Sequence, residues 1–119
     1  MIFILLAVSA AADVYAVKTG DERFAYYTRD ASDATLYFKS GVKGATCRTI
    51  GLLEVRLAPD TDPDALIREF GLERHESYPG GLYFFKTAPE NVMPVAALIW
   101  ERTGVLSAVP VCARKKRLQ

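Results

Sequence analysis

The sequence predicts an α+β domain of the ferredoxin-like βαββαβ type, in which a four-stranded antiparallel sheet carries two helices on one face, after a short β-rich N-terminal segment. Three observations predict this fold class. Residues 52–57 alternate between apolar and charged side chains, a helix signature follows over residues 62–71, and a hairpin, a second helix and a last strand complete residues 51–112. The 119 residues, half of them hydrophobic, suffice for one compact domain.

The first strand and first helix have the clearest signals. Over residues 53–57, every second side chain is a leucine or valine and those between are Glu54 and Arg56, a pattern typical of a half-buried strand. Asp62 is suited to cap free helical N–H groups, and Pro63 to the first helical turn. Gly71 is placed to end the helix.

The hairpin follows the first helix directly. Residues 72–78 are polar enough to predict an edge strand, residues 79–81 (Pro-Gly-Gly) a turn, and residues 82–87 a third strand. A second helix is predicted over residues 92–103, with Pro94 confined to its first turn because an interior proline costs about 3 kcal/mol.

The last strand is predicted over residues 105–109, ending at Pro110. In this topology the first and last strands are antiparallel neighbours, so Cys47, just before the first, comes close to Cys112, just after the last. We therefore expect a disulfide between them, the alternative being two free buried thiols. Neither cysteine belongs to a CxxC pair, which gives no support to a zinc or thioredoxin-like site.

The third strand is apolar on both of its faces. A lysine is unsuited to a position beneath the helices, and Lys86 shares its face with Phe84. We therefore assign Tyr83, Phe85 and Thr87 to the helix side. The outward set resembles a docking surface, an apolar strip with charged neighbours, and consists of Leu82, Phe84, Lys86, Glu54 and Arg56. The alternative is that the N-terminal strands fold over this face.

The N-terminus indicates export. Residues 1–8 are an apolar run, about half as long as a bilayer-spanning helix, and small residues follow up to position 12. This pattern predicts a signal peptide over residues 1–12, a mature protein that starts at Asp13, and a secreted or periplasmic location without membrane attachment after cleavage. The alternative interpretation is a buried first strand.

Residues 13–50 have the character of short strands divided by turns. They include an aromatic cluster, which either packs a small sheet or forms a platform for a carbohydrate or another ligand; its members are Phe24, Tyr26, Tyr27, Tyr37 and Phe38.

Composition and motifs argue against several functions. A net charge of +1 gives no steering toward nucleic acid. The sole histidine, His75, lies in the predicted edge strand without an evident nucleophile partner, and no pattern indicates a glycosidase pair of carboxylates or a phosphate-binding loop. We expect no catalytic activity, cofactor or metal.

Three segments resemble one family, and they occur in the family's order. Residues 51–63 resemble the opening strand, turn and capped helix of the N-terminal propeptides of subtilisin-like proteases. Residues 80–86 resemble the central hairpin, and residues 104–110 the closing strand with its Val-x-x-Ala-x-Pro pattern. The resemblance covers residues 51–112, about half of the chain.

The resemblance implies an inhibitor or folding chaperone of a subtilisin-like serine protease, rather than a catalyst. The open sheet face would dock on the protease, and the segment after the last strand would lie in the active-site cleft: Val111, Ala113, Arg114, Lys115, Lys116, Arg117, Leu118 and Gln119. Residues 113–119 form a basic tail, unlike a general cleft-filling segment. Because no catalytic domain follows, we expect action in trans or as an isolated propeptide. The alternative is an extracellular or periplasmic interaction domain with an unrelated partner.

Overall fold

A computed structural model describes residues 14–114, which form seven strands and two helices. The elements in chain order are β1 (Val14–Gly20), β2 (Arg23–Asp30), β3 (Asp33–Lys39), β4 (Thr46–Leu57), α1 (Pro63–Phe70), β5 (Glu73–Tyr78), β6 (Leu82–Lys86), α2 (Pro89–Ile99) and β7 (Val105–Cys112).

All seven strands belong to one antiparallel sheet, in the order β3-β2-β1-β7-β4-β6-β5. An additional pairing joins β3 to the first part of β4. That pairing closes β1, β2, β3, β4 and β7 into a ring, and it leaves β6 and β5 as an extension on one side. The sheet ends at β5, which confirms the prediction of an edge strand.

The predicted fold class is therefore wrong. The elements after Thr46 follow one another in the predicted order, but they do not form a separate four-stranded ferredoxin-like domain with helices on one face. The N-terminal strands complete the same sheet, because β1 pairs with the free edge of β7 and β3 pairs with β4. Those pairings satisfy backbone groups that a four-stranded sheet would leave open along its edges.

Helix α1 forms where its local signals place it. The Asp62 carboxylate accepts a hydrogen bond from the Asp64 backbone N–H at 2.9 Å, and Pro63 occupies the first turn. Gly71 ends the helix in the left-handed region, at φ 65°. The predicted cap, first turn and end are all confirmed.

Helix α2 begins three residues earlier and ends four residues earlier than predicted, so Pro94 lies inside it and not in its first turn. Pro89 begins the helix because its fixed φ suits the first position. At the other end, Trp100 donates from its indole Nε1 to the carbonyl oxygen of Ala16 in β1, at 2.9 Å. This bond ties the end of α2 to a strand distant in sequence.

One hydrophobic core lies between the helices and the inner face of the sheet. Its largest fully buried side chains come from both halves of the chain, and they include Tyr37, Phe85, Leu53, Met93 and Ile99. The buried Thr49 hydroxyl donates to the carbonyl oxygen of Pro89 at 2.7 Å, so the polar group in this core is satisfied.

The disulfide between Cys47 and Cys112 is present, with an S–S distance of 2.00 Å. It joins β4 to β7 beside the Thr49–Cys112 pair of the ladder. The strand β7 extends through Pro110 to Cys112, so the prediction that Pro110 ends it is wrong. Pro110 is instead accommodated within the strand, opposite Leu53.

Candidate docking surface

The strand register brings the five predicted docking residues onto one face. Glu54 lies opposite Phe84 and Arg56 lies opposite Leu82, while Lys86 pairs with Leu52. Arg56 and Lys86 are exposed, and the other three are partly exposed. Their neighbours along the strands, Phe85 among them, point into the core. The alternation in the sequence thus corresponds to the two sides of the sheet.

Strand β5 adds residues to this face that the sequence did not assign to it. Tyr78 pairs with Leu82 across the hairpin, and its ring meets that of Phe84 edge to face, with 5.9 Å between centroids. A hydrogen bond with the Glu76 carboxylate raises the pKa of Tyr78, so the phenol stays protonated. We call Tyr78, Leu82 and Phe84, with Glu54, Arg56 and Lys86 around them, the hairpin strip.

The N-terminal strands do not cover the hairpin strip. They pair edge to edge with β4 and β7 and lie beside the strip within the sheet. Both helices pack on the opposite side, where Leu66, Met93 and Ala96 join the core. Within residues 14–114 this face of the sheet therefore has no covering layer.

The aromatic cluster of the N-terminal segment divides between the two faces of the sheet. Tyr37 is fully buried and Tyr27 is half-buried, so these two serve the core. Phe24, Tyr26 and Phe38 remain exposed, at 38%, 50% and 44%. Phe24 also packs against Trp100. Three aromatic side chains are thus available at the surface of β2 and β3.

The structure describes the predicted cleft-binding segment as far as Arg114. Val111 lies half-buried in β7, so it belongs to the sheet. The backbone N–H of Ala113 donates to the carbonyl oxygen of Arg48 at 2.7 Å, and the Ala113 and Arg114 side chains are exposed. Residues 115–119 of this tail lie outside the described residues, as does the predicted signal peptide.

The ion pair between Asp33 and Arg48 lies next to the point where the tail leaves the sheet. The Asp33 carboxylate accepts hydrogen bonds from the Arg48 guanidinium at 2.7 Å and from the Thr35 backbone N–H at 2.9 Å. These bonds, that of Arg48 first, lower the pKa of Asp33 from 3.8 to about 2. The carboxylate therefore stays charged well into the acid range.

This pKa predicts a specific response to acid. Because the folded state holds the pKa below its ordinary value of 3.8, the stabilisation from Asp33 is complete above that value and is lost as the pH falls toward about 2. An NMR titration should find this low pKa in the native chain. It should rise toward 3.8 in Arg48→Gln and stay low in Lys43→Gln, an exposed control in the β3–β4 turn. An unchanged pKa in Arg48→Gln would contradict the assignment.

The sole histidine lies in the strand at the edge of the sheet. His75 is exposed in β5, at a shift in the register with β6. Among residues 14–114, no group of three or more His, Cys, Asp or Glu side chains could hold a metal ion, and neither helix has the length and apolar character to cross a bilayer.

Comparison of the chain with protein-family models, curated proteins and solved structures gives no match. The surface itself is therefore the basis for a functional interpretation. The disulfide is consistent with an extracellular or periplasmic location, where the redox conditions preserve such bonds.

Proposed function

We propose that the protein is an inhibitor or folding chaperone of a secreted subtilisin-like serine protease, acting without catalytic chemistry of its own. The hairpin strip would dock on the protease, and the segment after β7 would occupy the active-site cleft. The observation that carries the proposal is the uncovered face of β4, β5 and β6, whose apolar centre is surrounded by charged side chains.

The composition of this face suits protein docking. Aromatic side chains at the centre of an interface supply most of its binding energy, and Phe84 and Tyr78 already hold each other in place. Glu54, Arg56 and Lys86 supply charges of both signs at the rim, where such groups favour one partner over another. Since the strip is built on strands, little conformational entropy is lost on binding.

The end of β7 supports the second part of the proposal. The disulfide and the hydrogen bond from Ala113 to Arg48 hold the chain to β4 up to residue 113. A segment that leaves a fixed point can enter a cleft with a smaller entropic penalty than one on a loose end. The hairpin strip and this segment would then act as two linked sites on one protease.

Inhibition of a subtilisin-like protease tests the proposal directly. The chain, exported and purified with its disulfide intact, is expected to inhibit peptide hydrolysis at micromolar or lower concentration. Phe84→Ser should weaken inhibition at least tenfold, whereas Phe38→Ser, the same change at an exposed position on β3, should leave it within about twofold. Equal effects of the two changes, or no inhibition by the native chain, would contradict the proposal.

The tail is tested by a shortened chain. Truncation has to follow Ala113, because Cys112 is bonded to Cys47 and Val111 lies in the sheet. We expect removal of residues 114–119 to abolish most of the inhibition without changing the midpoint of unfolding. Full potency in the shortened chain would rule out a cleft-binding role for these residues.

The second candidate is an extracellular or periplasmic interaction domain with an unrelated partner. The observation in its favour is the exposed set of Phe24, Tyr26 and Phe38, which the protease proposal leaves without a role. This second candidate predicts a partner protein whose binding is lost in Phe38→Ser and kept in Phe84→Ser.

Both candidates place the protein outside the cytoplasm, by way of a signal peptide over residues 1–12. Mass spectrometry of the exported chain should then find Asp13 as the first residue. An exported chain that retains Met1 would contradict the signal peptide.

A further inference from the structure

A groove lined by two cationic side chains, Lys18 and Arg56, adjoins the hairpin strip. It lies where the end of β4 meets β7 and the turn between β1 and β2, and its volume is about 320 Å³. Seven residues line it: Lys18, Thr19, Gly20, Asp21, Arg56, Leu106 and Ser107. This volume is at the lower end of the roughly 300 to 1,000 Å³ found for ligand pockets, so it suits one or two side chains.

Two irregularities in neighbouring strands create the groove. The register of β1 against β2 shifts between Lys18 and Gly20, and that of β7 against β4 shifts where Arg56 pairs with Ser107 and Leu57 with Val105. The second shift leaves Leu106 without a partner in the ladder and 44% exposed. Beside it, β1 and β7 pair only at Lys18 and Ala108. Such bulges redirect side chains and interrupt strand pairing.

The charges in the groove are unbalanced. Three other arginines, Arg48, Arg74 and Arg102, each form an ion pair with a carboxylate. Within residues 14–114, Lys18 and Arg56 form none, and Lys18 is half-buried. Asp21 is the single carboxylate in the lining, so the groove has one positive charge in excess.

We infer that this groove binds an acidic side chain of the protein partner, with the carboxylate between Lys18 and Arg56 and an adjoining aliphatic group on Leu106. The inference rests on the proposed docking function, since Arg56 belongs both to the hairpin strip and to the groove. A guanidinium and an ammonium in a partly enclosed site bind a carboxylate through charge-assisted hydrogen bonds. Leu106 provides the apolar contact that selects an aspartate or glutamate with an aliphatic neighbour.

Neutral variants of the two cations test the inference in the inhibition assay. Lys18→Gln with Arg56→Gln should raise the inhibition constant at least tenfold at low salt, and the difference should shrink at high salt because screening weakens the native pair more. Lys43→Gln with Lys39→Gln removes the same charge from exposed positions near the opposite end of β4, and it should have little effect. Equal inhibition constants for the groove variant and the native chain would overturn the inference, whereas the comparison of Phe84→Ser with Phe38→Ser tests docking by the apolar centre of the hairpin strip separately.

A second measurement needs no protease, so it distinguishes failure of the groove from failure of the proposed function. The probe is the acetylated dipeptide Leu-Glu, with Leu-Gln as its neutral counterpart, added to about 20 mM because a single contact of this kind has millimolar affinity. Backbone NMR signals of the groove residues should shift with Leu-Glu, and less with Leu-Gln. They should not shift in the groove variant. Equal shifts with both dipeptides, or no localised shift, would overturn the inference.

Discussion

Replacing Phe85 with alanine is expected to lower the free energy of unfolding by about 3 to 5 kcal/mol. The Phe85 ring is completely buried between the sheet and the helices, and it stacks on Tyr83 with 5.8 Å between ring centroids. Removing the ring eliminates its apolar contacts with the core. It also leaves a cavity that the surrounding side chains fill incompletely. Urea unfolding followed by circular dichroism measures the loss.

Phe84 provides a matched control one residue away. Phe84→Ala is the same chemical change on the opposite face of β6, where the ring is partly exposed. We expect it to lower the free energy of unfolding by about 1 kcal/mol. If docking occurs through the hairpin strip, binding responds in the opposite order, because Phe84 is in the interface and Phe85 is not. Equal losses of stability in the two variants would contradict the assignment of faces.

Removing the disulfide is the second change with a large expected effect. The bond closes a loop with a sequence separation of 65 residues. The double change Cys47→Ala with Cys112→Ala should therefore lower the free energy of unfolding by about 4 kcal/mol, according to the chain-entropy model. The change also removes one buried side chain, Cys47, and one partly buried side chain, Cys112, which adds to the loss.

A measurement with reductant distinguishes the effect of the covalent link from the effect of the missing sulfur atoms. Reduction of the native chain breaks the covalent link and keeps both sulfur atoms. It should therefore lower the free energy of unfolding by slightly less than the double change does. The double variant itself should unfold at the same urea concentration with and without reductant. A native chain whose stability is unchanged by complete reduction, verified by thiol titration, would contradict a stabilising role for the bond.

Local signals account for the features predicted correctly. Helix α1 is defined by Asp62, Pro63 and Gly71, each of which acts on backbone groups within a few residues, so the chain around it needs no consideration. The two faces of β4 and β6 follow from side-chain alternation, which is likewise a local property. The disulfide was inferred from the adjacency of β4 and β7, and that adjacency holds in the larger sheet.

The error in the predicted fold class arises at Gly51, which lies inside a strand and not before one. In the sequence, the strand alternation becomes clear only after Gly51, so the predicted domain begins there. In the structure, Gly51 has φ 90° and lies within the continuous strand β4, where the register with β7 shifts between Thr49 and Leu53. A Cβ atom there would lie 2.9 Å from the carbonyl oxygen of Thr87. The glycine therefore allows one long strand to pair first with β3 and then with β6 along the same edge.

Some residues of the proposed binding surfaces follow from the local sequence pattern, and others only from strand pairing. Alternation in the sequence assigned Glu54, Arg56, Leu82, Phe84 and Lys86 to one face, and the strand register places them there. Tyr78 lies on that face because β5 pairs with β6. Lys18 lines the same groove as Arg56 only because β1 pairs with β7.

The sequence by itself thus determined the order of elements from residue 51 onward, the capped helix and the two faces of the hairpin, because periodicity and capping act over a few residues. The tertiary structure alone decided that residues 14–50 complete a single seven-stranded sheet, and where the groove lies. Strand pairing is decided by which backbone edges remain unsatisfied once the chain is folded, and those edges are contributed by segments far apart in sequence.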